Sequence, residues 1–186
     1  INHSSNQLAS SLIDMGVKRQ DRVIILLDNS AEAVISLFGV LKAGAIFVML
    51  NPAMKAKKLN YILQDSGARA LITHKTKARI LADAIKDAPK LDHIIWCGSE
   101  NAPDLPINQS SSQPVIQYSH LWSDILSKPY ALTPMPFANR CIDVDLATII
   151  YTSGSTGEPK GVMAAHYNVI AAARSIATYL ENVEDD

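Results

Sequence analysis

Short, continuous apolar runs recur along this chain and alternate with segments whose apolar residues follow helical spacing. An uninterrupted apolar run of strand length is typical of a parallel strand that is buried on both faces. Val23 to Leu27 is such a run, and further strands are predicted over 45–50, 69–73 and 93–97. Leu8, Leu12 and Met15 fit one helical face that Gly16 closes, and further helices are predicted over 31–43, 55–66 and 76–87. Repeated β–α units of this length predict an α/β fold, in which a mostly parallel sheet carries helices on both faces.

The ends of two predicted helices carry suitable boundary residues. Ser30 can cap the helix over 31–43, because its hydroxyl can accept a hydrogen bond from a first-turn backbone N–H. Gly44 follows the same helix, where a residue in the left-handed conformation is common. These residues support the predicted helix boundaries.

A change in composition separates two parts of the chain. From 98 to 114 the residues are mostly Ser, Asn, Gln and Pro, which is typical of a solvated connection. A short helix over 119–127 and a proline-rich stretch over 129–136 are predicted to follow. The sequence therefore predicts a β/α layered subdomain over 1–97, a connecting segment over 98–142 and a strand–loop–strand–helix element over 143–186.

Charge and composition exclude several classes of function. The formal net charge is −1, so no excess of positive charge indicates a nucleic-acid or anionic-membrane partner. No apolar stretch approaches the roughly 20 residues that a membrane-spanning helix needs. Cys97 and Cys141 lack the spacing of metal ligands and are consistent with two reduced thiols. We expect a cytoplasmic protein with a sizeable core, since 48% of its 186 residues are hydrophobic.

The segment 152–161 is the main functional signal. It holds four hydroxyl side chains, three of the chain's eight glycines and one lysine, directly after a short apolar segment. Gly154 and Gly157 let the backbone approach a ligand closely, and successive backbone N–H groups can then form an anion-binding concavity. Lys160 adds three N–H donors on a compact positive charge, and Pro159 stiffens the turn before it. The segment therefore predicts a polyphosphate-binding loop.

This loop differs from the Walker P-loop. The Walker pattern places a lysine directly after its last glycine, followed by a hydroxyl residue, and it opens into a helix. Here Lys160 follows Gly157 by three positions, and Gly161 comes next. Residues 161–165 predict a second short strand before a helical stretch over 167–180. The sequence therefore favours a strand–loop–strand arrangement.

The segment from Ile149 to Met163, with His166 and Asn168 after it, closely resembles the phosphate-loop signature of the AMP-forming adenylating superfamily. That superfamily includes acyl-CoA synthetases, luciferases and the adenylation domains of nonribosomal peptide synthetases. Further segments that resemble its early motifs lie at 12–17, 21–23, 26–30, 41–52, 59–63 and 65–69. The resemblance covers nearly the whole chain and is weakest from 98 to 142.

The resemblance implies an ATP-dependent, AMP-forming acid–thiol ligase that is similar to acyl-CoA synthetases. A carboxylic acid would attack the α-phosphorus of ATP to give an acyl adenylate, and the thiol of CoA or of a carrier protein would then take the acyl group. The implied cofactors are ATP and Mg²⁺. The residues implied to bind ATP are Thr152, Ser153, Gly154, Ser155, Thr156, Gly157, Glu158, Pro159 and Lys160, and the resemblance places no catalytic residue and no metal ligand in this chain.

Several motifs of the superfamily do not occur before Asp186. These are the motifs that bind adenine and ribose, and the C-terminal catalytic lysine. We therefore expect the chain to be the N-terminal fragment of a longer enzyme, with a partial N-terminal domain. By itself it is expected to be inactive.

Two other classes of function stay open on the residues alone. A P-loop-type NTPase or phosphotransferase would release ADP and phosphate rather than AMP and pyrophosphate. A non-catalytic remnant or scaffold fragment would keep the loop but bind no ATP. No motif indicates the acyl substrate, the choice between CoA and a carrier protein, or the oligomeric state.

Four further polar features favour structural roles. The lysine-rich stretches at 55–58 and 75–79 are expected to lie on solvated helix faces rather than to form a binding patch. His166 lies at a strand-to-helix junction, and we expect it to cap the helix or to pack there rather than to act as a catalytic base. We expect Asp143 and Asp145 to accept hydrogen bonds in a turn rather than to bind a metal ion. Tyr151 favours packing at the end of a strand.

Overall fold

The structure, a computed structural model, describes residues 1–85, 90–103, 105, 118–127, 141–153 and 158–181. Its strands are β1 (Arg22–Leu26), β2 (Ile46–Met49), β3 (Ala70–His74), β4 (His93–Cys97), β5 (Tyr118–Leu121), β6 (Leu146–Ser153) and β7 (Pro159–Ala165). Its α-helices are α1 (Asn2–Asp14), α2 (Ala31–Lys42), α3 (Ala56–Ser66), α4 (Ala78–Ala84), α5 (Trp122–Ser127) and α6 (His166–Tyr179), and a short 3₁₀ helix covers Lys75–Lys77.

The strands of the described ranges form one sheet in the order β5–β4–β3–β1–β2–β6–β7. The pairings from β5 to β6 are parallel, and β7 runs antiparallel to β6. Because parallel neighbours need a crossover, the helices between them must lie against the faces of the sheet. The predicted α/β fold with a mostly parallel sheet is confirmed.

Alternate residues of the central strands enter two separate apolar cores. Val23 and Ile25 of β1 pack with residues of α1, α2 and α5 on one face. Ile24 and Leu26 pack with residues of α3 and α4 on the opposite face. All four side chains are at most 1% exposed. Burial on both faces explains why the strand is an unbroken apolar run rather than an alternating one.

The residues at the two ends of α2 adopt the predicted roles. The Ser30 side chain accepts a hydrogen bond from the backbone N–H of Ala33 at 3.2 Å, which caps the helix. Gly44 adopts φ +73° directly after the helix end, a backbone conformation that residues with a Cβ atom rarely adopt. Both predictions are confirmed.

The helix predicted over 119–127 is wrong in its first part. Tyr118–Leu121 is strand β5, which pairs with β4 in parallel register from His93↔Tyr118 to Trp96↔Leu121. The helix begins only at Trp122. Pairing with a strand that lies distant in the sequence decides the conformation here, and local helical spacing cannot report it.

Other predicted boundaries shift by a few residues or fall outside the described ranges. The helix predicted over 76–87 is a 3₁₀ turn followed by α4, and 86–89 lie outside the described residues. The strand predicted over 161–165 begins earlier, at Pro159. The proline-rich stretch over 129–136 and most of the connection after 103 also lie outside the described residues. The three-part division at 97 and 142 stays a prediction.

Candidate functional site

The candidate site is carried by the antiparallel hairpin of β6 and β7. The register places Thr152 opposite Lys160 and Ser153 opposite Pro159. Directly opposed residues of an antiparallel pair lie about 4.5–5.5 Å apart at Cα. The residues that enter and leave the predicted phosphate loop are therefore held side by side, as the strand–loop–strand prediction required.

Five of the nine predicted ATP-binding residues lie within the described part of the chain. Thr152, Ser153, Glu158 and Lys160 are exposed, whereas Pro159 is buried. The other four, Gly154, Ser155, Thr156 and Gly157, lie outside the described residues. The assignment of these nine residues to ATP binding stays a prediction.

The register separates the described loop residues onto two faces of the hairpin. Side chains alternate along a strand, and opposed residues share a face. Thr152 and Lys160 therefore share the exposed face, while Ser153 and Pro159 share the face that carries Tyr151 and borders α3. The Thr152 hydroxyl donates a long hydrogen bond of 3.5 Å to the Lys160 carbonyl. The loop is therefore bordered by a hydroxyl and an ammonium group on the same face.

Lys160 carries the positive charge of this face. Among the described residues the ion pairs are Arg19–Asp145 and Arg69–Asp92, so the Lys160 ammonium group is not neutralised by a carboxylate there. An exposed, unpaired ammonium group with three N–H donors can bind a phosphate oxygen.

The base of the hairpin is fixed by polar contacts to the loop after α1. Arg19 forms an ion pair with Asp145, and its guanidinium group holds the pKa of that carboxyl below its usual range. Asp145 also accepts a hydrogen bond from the Ile142 backbone N–H at 2.9 Å. The prediction that Asp145 accepts hydrogen bonds in a turn is confirmed.

The upper part of the hairpin, which is its end next to the loop, is linked to helix α3. The Tyr151 hydroxyl donates a 2.5 Å hydrogen bond to Oδ2 of Asp65, which is next to last in α3. Burial and the nearby Asp65 carboxylate raise the pKa of Tyr151 above its ordinary value. The sequence predicted only packing for Tyr151 and gave no role to Asp65, although the segment 65–69 already belonged to the resemblance.

Gly161 has a role that the sequence did not reveal. It lies opposite Tyr151, and a Cβ atom at this position would lie 3.3 Å from Cζ of the Tyr151 ring and 2.8 Å from the Ile149 Cγ2 methyl. A side chain at 161 would displace one of these groups. The glycine therefore makes room for the Ile149 methyl group and for the Tyr151 ring.

The junction between β7 and α6 contains the remaining motif residues. Oδ1 of Asn168 accepts a hydrogen bond from the Ala165 backbone N–H at 2.9 Å, which stabilises the start of α6. His166 is the first residue of that helix, and its Nε2 atom is buried without a hydrogen-bond partner in the described part of the chain. This position agrees with a packing role for His166.

Two other kinds of feature are missing from the described residues. No three His, Cys, Asp or Glu side chains of these ranges converge on a point where a metal ion could bind. None of the helices seen in these ranges combines the length and the apolar character that crossing a membrane requires.

Comparison with known proteins identifies the family. A family model described as AMP-binding enzyme matches residues 1–186. Gramicidin S synthase 2 from Brevibacillus brevis is 30% identical over 186 residues, which cover 100% of this chain and 3% of the synthase.

Solved structures agree with this result. The anthranilate CoA ligase AuaEII, solved in complex with anthranoyl-AMP, has a TM-score of 0.75 and 29% identity, over 92% of this chain and 30% of that one. The inhibitor-bound N-terminal domain of FACL13 from Mycobacterium tuberculosis has a TM-score of 0.71 and 28% identity, over 95% of this chain and 39% of that one. The chain thus spans well under half the length of each relative. It belongs to the AMP-binding enzyme family.

Proposed function

We propose that the β6–β7 hairpin of this AMP-binding family member binds the triphosphate of ATP in an adenylate-forming, carboxylate-activating ligase. The observation that carries the proposal is the placement of Thr152 directly opposite Lys160, on an exposed face and without a neutralising carboxylate among the described residues. The loop between them supplies further hydroxyl groups and glycines, at Ser153, Gly154, Ser155, Thr156 and Gly157.

The proposed reaction places growing negative charge next to this hairpin. A carboxylate oxygen forms a bond to the α-phosphorus, the bond to the β-phosphate oxygen breaks, and pyrophosphate leaves with the electron pair. Fixed donors near the β- and γ-phosphates stabilise that charge more in the transition state than in the ground state. Lys160 and the loop hydroxyls are the donors that this chain supplies. The solved relative that holds anthranoyl-AMP contains the product type expected of such a step.

The thiol acceptor is proposed only as a class. The similar proteins include a gramicidin S synthase and a CoA ligase, so the acyl group would pass from the adenylate to a carrier-protein thiol or to CoA. The described residues offer no cluster of three metal-ligating side chains. Mg²⁺ is therefore proposed only as an ion that the triphosphate brings with it, and no step is assigned to it.

Binding of ATP and of pyrophosphate to the ligase that carries this chain, measured by isothermal titration calorimetry, tests the proposal. A hydrogen bond to a charged group contributes about 1.5–3 kcal/mol, so Lys160→Ala is expected to weaken binding roughly 10- to 150-fold. Lys57→Ala, at an exposed lysine of α3, is the matched control and is expected to bind like wild type. Equal affinity of Lys160→Ala and Lys57→Ala in that ligase, or a wild-type ligase that binds neither ATP nor pyrophosphate, would contradict the proposal.

The arrangement of the hairpin also favours this function over a P-loop NTPase. In the Walker arrangement the phosphate loop opens into a helix. Here Pro159 and Lys160 already belong to strand β7, which pairs back on β6. In the ligase that carries this chain, turnover is expected to release AMP and pyrophosphate. Release of ADP and phosphate would favour the P-loop class instead.

A further inference from the structure

We propose that Asp65 is a positioning residue for the phosphate-binding hairpin, because its hydrogen bond to Tyr151 fixes the end of β6 that leads into the loop. The inference rests on the proposed function of the hairpin. It assigns Asp65 no contact with the nucleotide. The residue acts instead through Tyr151.

The upper half of the hairpin needs such an anchor. β6 pairs with β2 at Phe47↔Thr148, whereas its pairing with β7 continues to Ser153↔Pro159. β7 is the last strand of the described sheet. Ile150 and Val162, which oppose each other above this level, are each 52% exposed. A two-stranded ribbon is only marginally stable alone, so contacts to a third element determine where its end lies.

Contacts at the base of the hairpin do not meet this need. The Arg19–Asp145 pair and the 3.4 Å hydrogen bond from Gln20 to the Leu146 carbonyl hold the start of β6. Tyr151 lies five residues further along, about 16 Å at the rise of an extended strand. Among the described residues, the bond from Tyr151 to Asp65 is the side-chain hydrogen bond that joins this upper part to another element.

Asp65 is a rigid point of attachment. Helix α3 is fixed to the sheet by Leu59, Ile62 and Leu63, each at most 2% exposed. Its C-terminal end is tied to β1, because Nε of Arg22 donates to the Ser66 carbonyl at 2.6 Å. The Asp65 carboxylate forms no ion pair within the described ranges, so the Tyr151 hydroxyl is its principal partner there.

The link between Tyr151 and Asp65 borders a cavity. A cavity of about 430 Å³ lies between α3 and the hairpin, and its lining includes Arg22, Asp65, Tyr151 and Gly161. The Tyr151 ring also packs against the apolar core that α3 enters. Such contact is not directional, so loss of the hydrogen bond would let this part of the hairpin shift relative to α3. Tyr151 is two residues before Ser153, so a tilt at Tyr151 moves the loop entrance with it.

Hydrogen exchange of backbone amides, measured by NMR, tests the positioning role without any ligand. Tyr151→Phe keeps the ring and removes the donor, and Tyr179→Phe, at an 86% exposed tyrosine, is the matched control. Tyr151→Phe is expected to speed exchange about tenfold at Thr152 and Lys160, with no change at Thr148. Unchanged exchange at Thr152 and Lys160, or an equal increase at Thr148, would overturn the proposal.

Variants of Asp65 separate positioning from a general loss of stability. Asp65→Ala is expected to match Tyr151→Phe, and the double variant is expected to add nothing further, because both changes remove the same bond. Asp65→Asn keeps an acceptor oxygen and is expected to lie between Asp65→Ala and wild type. Additive effects of Asp65→Ala and Tyr151→Phe would overturn the proposal.

Nucleotide affinity connects the link to function. At a temperature where all variants are folded, Tyr151→Phe and Asp65→Ala are expected to weaken ATP binding about fivefold to tenfold with Lys160 intact. Unchanged affinity with faster exchange would overturn the role in phosphate binding. A wild-type ligase that binds no ATP would overturn the proposed function instead, and the exchange result would still decide whether Asp65 holds the hairpin.

Discussion

Replacing Gly161 with alanine tests how tightly the hairpin is packed around the Tyr151 ring. The new Cβ atom would lie 2.8 Å from the Ile149 Cγ2 methyl and 3.3 Å from Cζ of Tyr151. Non-bonded carbon atoms prefer about 3.5–4.0 Å, so one of these groups must move by roughly 1 Å. A shift of the Tyr151 ring would also move the hydroxyl group that donates to Asp65.

Two opposing terms determine the size of the effect. Adding a methyl group that overlaps neighbouring groups costs about 1–3 kcal/mol. Alanine also restricts the unfolded chain, which stabilises the folded state by about 0.4–1 kcal/mol. The free energy of unfolding is therefore expected to fall by about 1 kcal/mol, which lowers the melting temperature by about 2–4 °C for a chain of this size.

Urea denaturation followed by circular dichroism measures this change. Ile149→Ala removes the Cγ2 methyl group that makes the shortest contact, so Gly161→Ala is expected to cost about 1 kcal/mol less in that background. Two results would refute the reasoning. One is a Gly161→Ala variant at least as stable as wild type, and the other is an equal loss in both backgrounds.

Three further predictions concern other parts of the fold. Ser30→Ala removes the cap of α2 and is expected to lower the free energy of unfolding by about 1 kcal/mol. Ser30→Asp keeps an acceptor and should retain most of the stability that the cap provides. Urea denaturation compares the two variants with wild type. Burial lowers the pKa of His93 below its ordinary 6.5, so the folded state favours the neutral ring. Stability is therefore complete above about pH 6.5 and falls as the pH drops below it, and the slope should be shallower in His93→Gln. Burial raises the pKa of the Cys97 thiol to about 12, so a thiol reagent at neutral pH should modify Cys141 first, and Cys141→Ser should abolish the fast phase of the reaction.

The sequence predicts those parts of the fold that local burial and local hydrogen bonds determine. The apolar run at 23–27 indicates β1 because both faces of that strand are covered. A strand that is buried on both faces needs apolar residues at successive positions, and the sequence shows them directly. Ser30 and Gly44 could be assigned because a cap and a left-handed residue act within a few positions of the helix end. The β6–β7 hairpin could be predicted for the same reason, since its residues are contiguous.

Features that depend on distant partners could not be predicted. Tyr118–Leu121 lacks a continuous apolar run, and it becomes a strand through its pairing with β4. Asp65 and Tyr151 lie 86 positions apart, so no local pattern relates them. Gly161 was counted with the loop glycines, although its contact with the Tyr151 ring exists only once β7 folds back on β6.

The strand that follows the loop bears on how the proposed site would hold a phosphate group. A Walker loop opens into a helix, whose N-terminal dipole favours an anion within about one turn. Here α6 begins at His166, six residues after Lys160, and six residues of extended strand span roughly 20 Å. The helix dipole is too distant to contribute, so favourable charge in the described hairpin comes from Lys160. Affinity for ATP should therefore depend on this one ammonium group more strongly than in a loop that opens into a helix. It should also fall with rising ionic strength, because Lys160 is exposed.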